Sequence, residues 1–462
     1  MNEQAAGSPS RRSSLHGHWS SRLAFVMAVT GSAVGLGNIW KFPYVVGEYG
    51  GGAFVLIYLV AVFAVGLPIM TSEILLGRRG RRNPIATMRI LGEEEGSTPH
   101  WQWLGGIGVL AGFLILSFYS VIAGWVLSYI VNSFTGAYSG ADLDQVVSLF
   151  ETTSSSLTIS TIGHTVFMVM TAVVVALGVQ HGLERAIRIL MPLLMVLLLI
   201  LVAYSYIEGD FARAVDFMFT PNFDALTSEA VLVALGQAFF TLSIGMGTVM
   251  AYGAYLPEGT PITSSALTVV LADTLIAILA GLVIFPIIFA NGLDPASGPG
   301  LVFEALPLAF GQMPGGIYFG ALFFVLVTFA AWTSSIGLIE PAVAWIVETF
   351  YRPRAEAAII VALAAWLLGM GTVFSFSVGS DFVFWQGTIF DNVEYLSTNI
   401  LLPLGGLLIT VFAGWVLCRN SSSEELGVGT GFIYRGWRFM ARFVAPAAVV
   451  LVFLHATGLV KL

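Results

Sequence analysis

The stretch of sequence that decides the fold is Gly31-Ser-Ala-Val-Gly-Leu-Gly-Asn-Ile-Trp-Lys-Phe-Pro43, which interrupts the first apolar segment with glycines. Glycine weakens a helix interior and tolerates backbone angles that other residues avoid. A second glycine-interrupted stretch, Ser243-Ile-Gly-Met-Gly247, lies in the sixth apolar segment. Interruptions at matching places in two halves of a membrane protein are typical of broken helices around a central binding site.

Close packing between helices is the alternative explanation for these glycines. Gly31 and Gly35 are four residues apart, which is the spacing of small-residue contacts between membrane helices. Polar side chains beside both stretches, those of Asn38, Thr241 and Ser243, favour a binding site. Polar groups inside a membrane are costly and are usually retained for a function.

The composition is that of a membrane protein. Of the 462 residues, 57% are hydrophobic and 10% are charged, and the mean hydropathy is +0.88. Apolar runs of about 20 residues, the length that crosses a bilayer, recur along the chain. Because lipid cannot satisfy unpaired backbone groups, these runs predict helices and an all-α membrane protein. The eleven predicted transmembrane helices, spans 1 to 11, cover residues 20–44, 52–77, 102–133, 161–180, 187–207, 229–255, 264–291, 316–349, 357–375, 387–417 and 436–458.

The basic residues predict an orientation. With the N-terminus in the cytoplasm, 16 of the 19 Lys and Arg residues fall in cytoplasmic segments and the outer loops are acidic. We expect a multi-pass protein of the cell inner membrane whose C-terminus is periplasmic or extracellular. Arg11-Arg12 before an apolar segment mimics a twin-arginine signal. However, Asn38, Lys41 and Pro43 within that segment, and the lack of a small-residue cleavage site, indicate a retained span.

The reactive side chains do not form a pattern typical of an enzyme or a metalloprotein. The one cysteine, Cys418, cannot form an internal disulfide, and no cysteine–histidine spacing indicates zinc. The six histidines are scattered near span ends, where interfacial side chains are common. A membrane enzyme would need a nucleophile with a base or a metal cluster, so we predict that this protein is not an enzyme.

The motifs resemble those of the neurotransmitter:sodium symporter family, also called the solute carrier 6 family. Besides the stretch from Gly31 to Pro43, the resemblance rests on Gly50-Gly-Gly-Ala-Phe54, Gly236-Gln-Ala-Phe-Phe-Thr-Leu-Ser-Ile-Gly-Met-Gly247 and Thr333-Ser-Ser335, in family order. The resemblance runs from about Trp19 to the end of the chain. An eleven-span count looks like the bacterial branch of the family.

The resemblance also implies a domain organisation. It predicts an inverted five-plus-five repeat with helices 1 and 6 broken, followed by one extra C-terminal helix. Residues 1–18 would form a cytoplasmic tail, 19–208 the first half, 229–417 the second half, and 436–458 the eleventh helix, within a single transport domain.

Two sodium sites built from oxygen ligands are implied by the same resemblance. The ligands of site 1 would be the Ala33 carbonyl, the Asn38 side chain, Thr241 and Asp273, with the substrate carboxylate completing the site. The ligands of site 2 would be the carbonyls of Gly31, Val34 and Ala330 and the hydroxyls of Thr333 and Ser334.

Asp273 departs from the asparagine that is commoner at its position in the family. A carboxylate deep in span 7 is costly, and chloride-dependent relatives hold an anion nearby. Asp273 can supply that negative charge itself, so we expect transport that does not require chloride. A protonated Asp273, hydrogen-bonded between helices, is the alternative.

A substrate pocket between the helix breaks is implied as well. The substrate carboxylate would meet the N–H groups of Leu36 and Gly37 and the Tyr119 hydroxyl. The amino group would meet the carbonyls of Ala33, Phe240 and Thr241 and the Ser243 hydroxyl. The walls would be Ile115, Phe240, Met246, Ser335 and Leu338, although ordinary helix packing would also explain Ile115 and Leu338. A pocket without unpaired charge predicts a hydrophobic substrate side chain, and the flexible Met246 would accommodate an aromatic one.

An outer gate is expected from Lys41 and Glu394, as a direct or water-bridged pair above the lid residue Phe240. Family members usually carry arginine at the Lys41 position, so a bidentate pair is not available here. Asp391, one turn earlier, is the rival partner.

An inner gate is expected between Glu348, at the end of span 8, and a cation of the N-terminal segment. The cation position falls on His16, where the family has arginine, so this gate would be sensitive to pH. Arg11, Arg12 and Arg22 are the alternatives.

Two further features belong to the inner side. Trp19 either wedges this end shut or anchors the chain at the membrane interface. Gly182 and Pro192, separated by nine residues, open span 5, and proline weakens the preceding helical turn. Similar family members unwind here and let water reach sodium site 2; a fixed kink is the alternative.

Together these features predict sodium-coupled symport of a neutral hydrophobic or aromatic L-amino acid into the cell by alternating access, with two sodium ions. The alternatives are sodium-coupled uptake of taurine, a gamma-amino acid or a betaine, and a membrane amino-acid sensor. A betaine would need an aromatic cage, for which only Phe240 and Tyr119 stand out. The lipid bilayer is an expected partner, nucleic acid is not, and the oligomeric state stays open.

Overall fold

The computed structural model describes residues 12–298 and 300–459, and regular structure within them is helical throughout. Within these residues the only extended pairings are two isolated bridges, Gly51 with Pro221 and Phe384 with Gly387. The predicted all-α class is therefore confirmed for the part of the chain that the structure describes.

The helices that build the apolar body are labelled in chain order. They are α1 (Arg22–Ala33), α2 (Gly37–Glu48), α3 (Gly52–Gly80), α4 (Pro99–Phe134), α5 (Leu157–Ala176), α6 (Val179–Glu208), α7 (Ser228–Thr241), α8 (Thr248–Ala254), α9 (Ile262–Ala290), α10 (Gly316–Phe350), α11 (Arg354–Ser375), α12 (Ile389–Val416) and α13 (Phe432–Ala456). Shorter helices connect them at Pro84–Glu94, Leu143–Ser155, Phe211–Phe219, Phe223–Ala225, Leu301–Gln312 and Arg419–Leu426.

In the described residues, nine of these helices, α3–α6 and α9–α13, are each long and apolar enough to cross a membrane. Helices α1 and α2 pass the same test together and are bent by 54° at their junction. The predicted boundaries differ most at spans 4 and 5, because α5 ends at Ala176 and α6 already begins at Val179. Gly178, with φ of 89°, makes this tight turn, and apolar residues on both sides of it hide the turn from a hydropathy pattern.

The break between α1 and α2 follows from the glycine-rich stretch. Val34 leaves the helical region with ψ of 107°, while its N–H still closes the last turn on the Thr30 carbonyl at 2.7 Å. Residues 34–36 are outside both helices, so carbonyls at the end of α1 and N–H groups at the start of α2 lack helical partners.

The break between α7 and α8 spans residues 242–247. Ser243, Gly245 and Gly247 all have left-handed φ angles, of 51°, 84° and 75°. Glycine adopts these angles without strain, whereas a serine there costs free energy and is held by surrounding contacts.

Helices α4 and α10 form the interior of the bundle, and α13 lies at its edge. In the most apolar 18-residue stretch of α10, 78% of residues are buried, compared with 72% in α4 and only 22% in α13. Close approach of α4 to α5 depends on Gly124 and Gly163, because a Cβ on Gly124 would lie 2.6 Å from the Gly163 carbonyl carbon. This close contact fixes the position of α4, the helix that carries Tyr119 beside the first break.

The short helix Arg419–Leu426 begins at the exposed Cys418. The Cys418 Sγ accepts the Ser421 N–H at 3.4 Å, so the thiol takes the place of a hydroxyl at the N-cap.

Candidate functional site

The start of α2 and the middle of α4 meet at the first helix break. The Leu36 N–H donates to the Tyr119 Oη at 3.2 Å, and Tyr119 is buried. A Cβ on Gly35 would lie 2.7 Å from the Tyr119 Oη and 2.4 Å from the Ser334 Oγ, so no larger residue fits between them. An N–H group at a helix start and a phenol thus converge, which are donors suited to a carboxylate.

Asp273 of α9 joins the two helix breaks. Its Oδ1 accepts the Asn38 Nδ2–H at 2.8 Å, and its Oδ2 accepts the Thr241 hydroxyl at 3.1 Å. All three side chains are fully buried. Three of the four residues expected at sodium site 1 are therefore in direct contact, while no hydrogen bond in the described residues links Ala33, at the end of α1, to them.

The Asn38 amide has an orientation that the sequence does not indicate. Its Oδ1 accepts the Gly35 N–H at 3.1 Å, so the amide presents a donor, not an oxygen, to Asp273. The oxygen-rich set fits a hard cation of sodium's kind. Asn38 would coordinate such an ion only after its amide turned around.

The residues expected at sodium site 2 lie together between α1 and α10. The Ser334 hydroxyl donates to the Val34 carbonyl at 3.1 Å and to the Ser32 carbonyl at 2.9 Å. The Thr333 hydroxyl lies 3.1 Å from the Ala330 carbonyl. A Cβ on Gly31 would lie 3.4 Å from the Thr333 Cβ, which makes these residues neighbours.

The residues expected to surround a substrate are divided among three places. Met246 and Leu338 both approach Gly112, one turn before Ile115 on α4. The Ser243 hydroxyl donates to the Ser32 carbonyl at 2.9 Å. Ser335, in contrast, bonds to the Thr171 hydroxyl of α5 at 2.8 Å, so its hydroxyl is engaged away from the helix breaks.

At the end of the bundle that the sequence predicts to face outward, Lys41 lies over the Phe240 ring, with Nζ 4.6 Å from the ring centroid. The Phe240 ring also packs against Gly37, because a Cβ on Gly37 would lie 3.0 Å from the ring edge. Phe240 is only half-buried and lines a cavity of about 220 Å³ together with Lys41. The aromatic ring therefore separates the helix breaks from this cavity.

The direct Lys41–Glu394 pair that the sequence left possible is absent. Among the described residues, Lys41 makes no ion pair within 4.0 Å, although the Glu394 charge still acts on it. Glu394 is held by its own helix, where it accepts the Thr398 hydroxyl at 2.9 Å. The rival Asp391 caps the start of α12 instead, accepting the Thr388 N–H at 2.7 Å.

At the end of the bundle that the sequence predicts to face the cytoplasm, His16 and Glu348 are in contact. The His16 Nε2 lies 2.9 Å from the Glu348 Oε1, and both side chains are buried. Asn83 donates both its backbone N–H and its amide to the same carboxylate, each at 2.8 Å.

The alternative inner-gate cations lie elsewhere. Arg12 pairs with Glu94, and Arg22 donates to Ser264 and Ser265. Arg11 lies outside the described residues.

Trp19 is inside the protein, with 1% of its surface exposed. Its indole N–H donates to the Tyr252 carbonyl at 3.0 Å, and its backbone N–H donates to the Tyr255 carbonyl at 3.0 Å. A membrane-interface anchor would be exposed at the surface, so this position fits a residue that closes the inner end.

Helix α6 begins with a wide π-helical turn, Val179–Glu184, and continues as an α-helix that contains Pro192. Gly182 lies in this turn, and a Cβ on it would be 2.0 Å from the Val174 carbonyl oxygen. The turn thus packs against the end of α5 only with glycine at this position.

Several buried polar residues were not identified from the sequence. Glu73 of α3 accepts the Gly245 N–H at 2.6 Å, and Gln237 donates to the Gly37 carbonyl at 2.8 Å. Glu340 of α10 pairs with Arg354, whose Nη1 lies 3.0 Å from its Oε1. A carboxylate inside an apolar run is itself a signal of function, and it marks Glu73 and Glu340.

Comparison with known proteins identifies relatives over nearly the whole chain. Residues 16–148 and 144–461 match the model of the family described as Sodium:neurotransmitter symporter family. The sodium-dependent transporter YhdH of Bacillus subtilis (strain 168) is 39% identical over 447 residues, covering 96% of this chain and 98% of that protein. The human sodium- and chloride-dependent GABA transporter 2 is 24% identical, covering 95% of this chain and 80% of that protein. The crystal structure of MhsT in complex with L-phenylalanine is similar with a TM-score of 0.87 and 40% identity, covering 95% of this chain and 99% of that chain.

Proposed function

The chain belongs to the sodium:neurotransmitter symporter family, and we propose that it carries a neutral hydrophobic or aromatic L-amino acid into the cell together with sodium. The observation that carries this proposal is the buried cluster in which Asn38 and Thr241 both donate to Asp273. It concentrates a carboxylate and further oxygen atoms beside a broken helix. A sodium ion bound next to a zwitterion needs this combination.

The proposed architecture has eleven transmembrane helices. The bent pair α1/α2 and the interrupted pair α7/α8 would each count as one crossing, and each would open one inverted half, residues 19–208 and 229–417. The remaining helix, within 436–458, would follow as an eleventh crossing. We place residues 1–18 in the cytoplasm and the C-terminus outside the inner membrane, because the basic residues favour that orientation.

Two sodium ions are proposed as cargo. Site 1 would use Asn38, Thr241 and Asp273 with the Ala33 carbonyl, and the substrate carboxylate would complete it. Site 2 would use the oxygens of Gly31, Val34, Ala330, Thr333 and Ser334. Because one ion would contact the substrate, each would raise the affinity of the other, and this reciprocity couples the two fluxes.

The substrate carboxylate is proposed to bind the N–H groups of Leu36 and Gly37 and the Tyr119 hydroxyl. The contact of Leu36 with Tyr119 supports this placement. Its amino group would take the carbonyls near Ala33, Phe240 and Thr241, and the Ser243 hydroxyl. The pocket wall would be lined by Ile115, Phe240, Met246, Leu338 and Ser335, with the Ser335 hydroxyl bonded to Thr171. The L-phenylalanine bound to MhsT supports a hydrophobic or aromatic class.

Transport is proposed not to require chloride, although the GABA transporter relative is chloride-dependent by name. Asp273 would supply the negative charge that an anion otherwise provides beside site 1. Replacing chloride by gluconate should leave uptake unchanged, and uptake lost in gluconate would refute this proposal.

Alternating access would use the two ends described above. Lys41, Phe240 and Glu394 would close the outer end, with water bridging the two charges. His16, Trp19 and Glu348 would close the inner end, and the turn between Gly182 and Pro192 would open to release sodium.

Thermal unfolding of the detergent-purified protein tests the proposal. Midpoints are measured with each of the twenty amino acids, in sodium and then in potassium, because a ligand that binds the folded state raises the midpoint. We expect stabilisation by leucine-like or aromatic amino acids in sodium only. Asp273→Ala removes both carboxylate oxygens that contact Asn38 and Thr241, and it should lose this sodium-dependent increase.

Other outcomes distinguish the alternatives. Stabilisation by sodium alone, with no amino acid effective, would move the substrate to the taurine, gamma-amino acid or betaine class. Binding without uptake in proteoliposomes would indicate a sensor.

A further inference from the structure

The segment that leads into α1 is tied to the first turn of α6. The Glu184 Oε2 accepts the Ser20 N–H at 2.9 Å, and its Oε1 accepts the Ser20 hydroxyl at 2.5 Å. Gln180 donates its amide to the His18 carbonyl at 3.0 Å. Backbone and side-chain atoms of residues 18–20 are thus held by the turn Val179–Glu184.

Glu184 depends on these contacts because it is buried, with 5% of its surface exposed. Its one ion pair in the described residues is with Arg188, whose Nη2 lies 2.7 Å from the Glu184 Oε1. Arg188 is itself half-exposed and also donates to the Ser20 hydroxyl. A buried carboxylate that loses its donors is strongly disfavoured.

Movement of Trp19 necessarily disturbs this arrangement. Ser20 follows Trp19 directly, and consecutive Cα atoms are about 3.8 Å apart. Trp19 therefore cannot leave Tyr252 and Tyr255 by several ångströms while Ser20 keeps both bonds to Glu184.

The turn that holds Glu184 is a weak point of α6. A π-helical turn has less favourable geometry than an α-helical one. It is preceded by Gly178, with φ of 89°, and contains Gly182. Opening the turn would return the carboxylate to water at the moment it loses Ser20.

We propose that Glu184 is a positioning residue that couples the two inner-side movements: displacement of the segment before α1 removes its hydrogen bonds, and the Val179–Glu184 turn then opens. This inference rests on the proposed function, in which that turn opens to release sodium. It adds a residue to which neither the sequence motifs nor the proposed sodium sites assign a role.

Hydrogen exchange of the detergent-purified full chain tests the coupling. In saturating sodium, Glu184→Gln is expected to raise the exchange rate of the Val179–Glu184 amides about tenfold, as loss of one or two hydrogen bonds would. Exchange in the first part of α12, residues 389–401, which lie at the opposite end of the bundle, should not change. Sodium release after dilution should become faster by a similar factor, while substrate affinity at saturating sodium changes less.

Two variants separate the coupling from general destabilisation. Glu356→Gln removes an exposed carboxylate from a similar pair with Arg352, where the N···O distance is 3.7 Å, and should change neither readout. Ser20→Ala removes only one hydroxyl and should give a smaller effect in the same direction as Glu184→Gln. If Glu184→Gln does not fold, Ser20→Ala serves as the test variant in its place.

The inference fails if Glu184→Gln and Ser20→Ala keep wild-type exchange in Val179–Glu184 while the wild-type protein shows sodium-dependent amino-acid stabilisation. A wild-type protein without that stabilisation refutes the proposed function instead. Faster exchange in all helices alike would show a merely structural role for Glu184 and would also overturn the coupling.

Discussion

Replacing Gly35 by alanine is the sharpest test of the first helix break. The added Cβ would lie 2.4 Å from the Ser334 Oγ and 2.7 Å from the Tyr119 Oη, about 1 Å closer than ordinary van der Waals contact. Neither hydroxyl can retreat without loss. The Ser334 Oγ is bonded to the Ser32 and Val34 carbonyls, and the Tyr119 Oη accepts the Leu36 N–H.

The magnitude follows from these contacts. Each hydrogen bond that is given up costs about 1 kcal/mol, and each of the two hydroxyls must give up at least one of the three bonds named above. Adding a methyl group to a tightly packed protein core usually costs about 1–3 kcal/mol, which agrees with the loss expected from the hydrogen bonds. If the sodium-bound state is destabilised by about 2 kcal/mol relative to the sodium-free state, the sodium concentration that gives half of the maximal stabilisation rises roughly thirtyfold.

The assay is a sodium titration of the unfolding midpoint, with potassium holding the ionic strength constant. Gly106→Ala is the matched control, because Gly106 lies on α4 and its Cβ would have nothing within 4 Å. We expect a right-shifted sodium titration for Gly35→Ala and an unchanged one for Gly106→Ala. A folded Gly35→Ala protein whose titration overlays that of the wild type would refute the reasoning that the break binds sodium.

Three further predictions concern other parts of the molecule. Tyr119→Phe leaves the Leu36 N–H unpaired and should weaken substrate binding about tenfold in a binding assay, with little change in the midpoint without substrate. Arg354→Met leaves the buried Glu340 carboxylate without its cation, although the Tyr255 hydroxyl still donates to it, and should lower the free energy of unfolding by about 3–5 kcal/mol. The double variant Glu340→Gln/Arg354→Met should recover most of this loss in chemical denaturation. Burial, and secondly the negative charge of Glu151, raise the pKa of Glu304. Ionisation of Glu304 is therefore less favourable in the folded than in the unfolded protein, and the folded state loses stability as the pH rises and Glu304 ionises. Glu304→Gln should therefore raise the unfolding midpoint at neutral pH but not below about pH 4, the ordinary range of a glutamic acid; an equal rise at both pH values would contradict this.

Local sequence signals were sufficient to predict the all-α class and the two interrupted helices. The glycines at 31–37 and 243–247 produce left-handed or non-helical backbone, which is a property of the residues themselves. The boundary between α5 and α6 was predicted between residues 180 and 187, several residues too late, because the turn at Gly178 takes only two residues and has apolar neighbours on both sides.

The candidate site was only partly predictable, because pairing in space depends on the whole fold. Asn38 and Asp273 were expected from the resemblance as ligands of one sodium site, but neither the hydrogen bond between them nor the orientation of the amide was predicted. Glu184 stands beside Arg185 and Arg188 in the sequence and looks like an ordinary solvated charge. Its burial against Ser20 arises only when the segment before α1 packs on α6.

The single thiol offers a practical route to watching this molecule move. Cys418 is exposed and the chain has no other cysteine, so a maleimide fluorophore would attach at one place without prior mutagenesis. One added cysteine at an exposed position such as Phe382, in the loop between α11 and α12, would then give a donor–acceptor pair for single-molecule energy transfer. The label would displace Ser421 from the Sγ cap at the start of the short helix Arg419–Leu426.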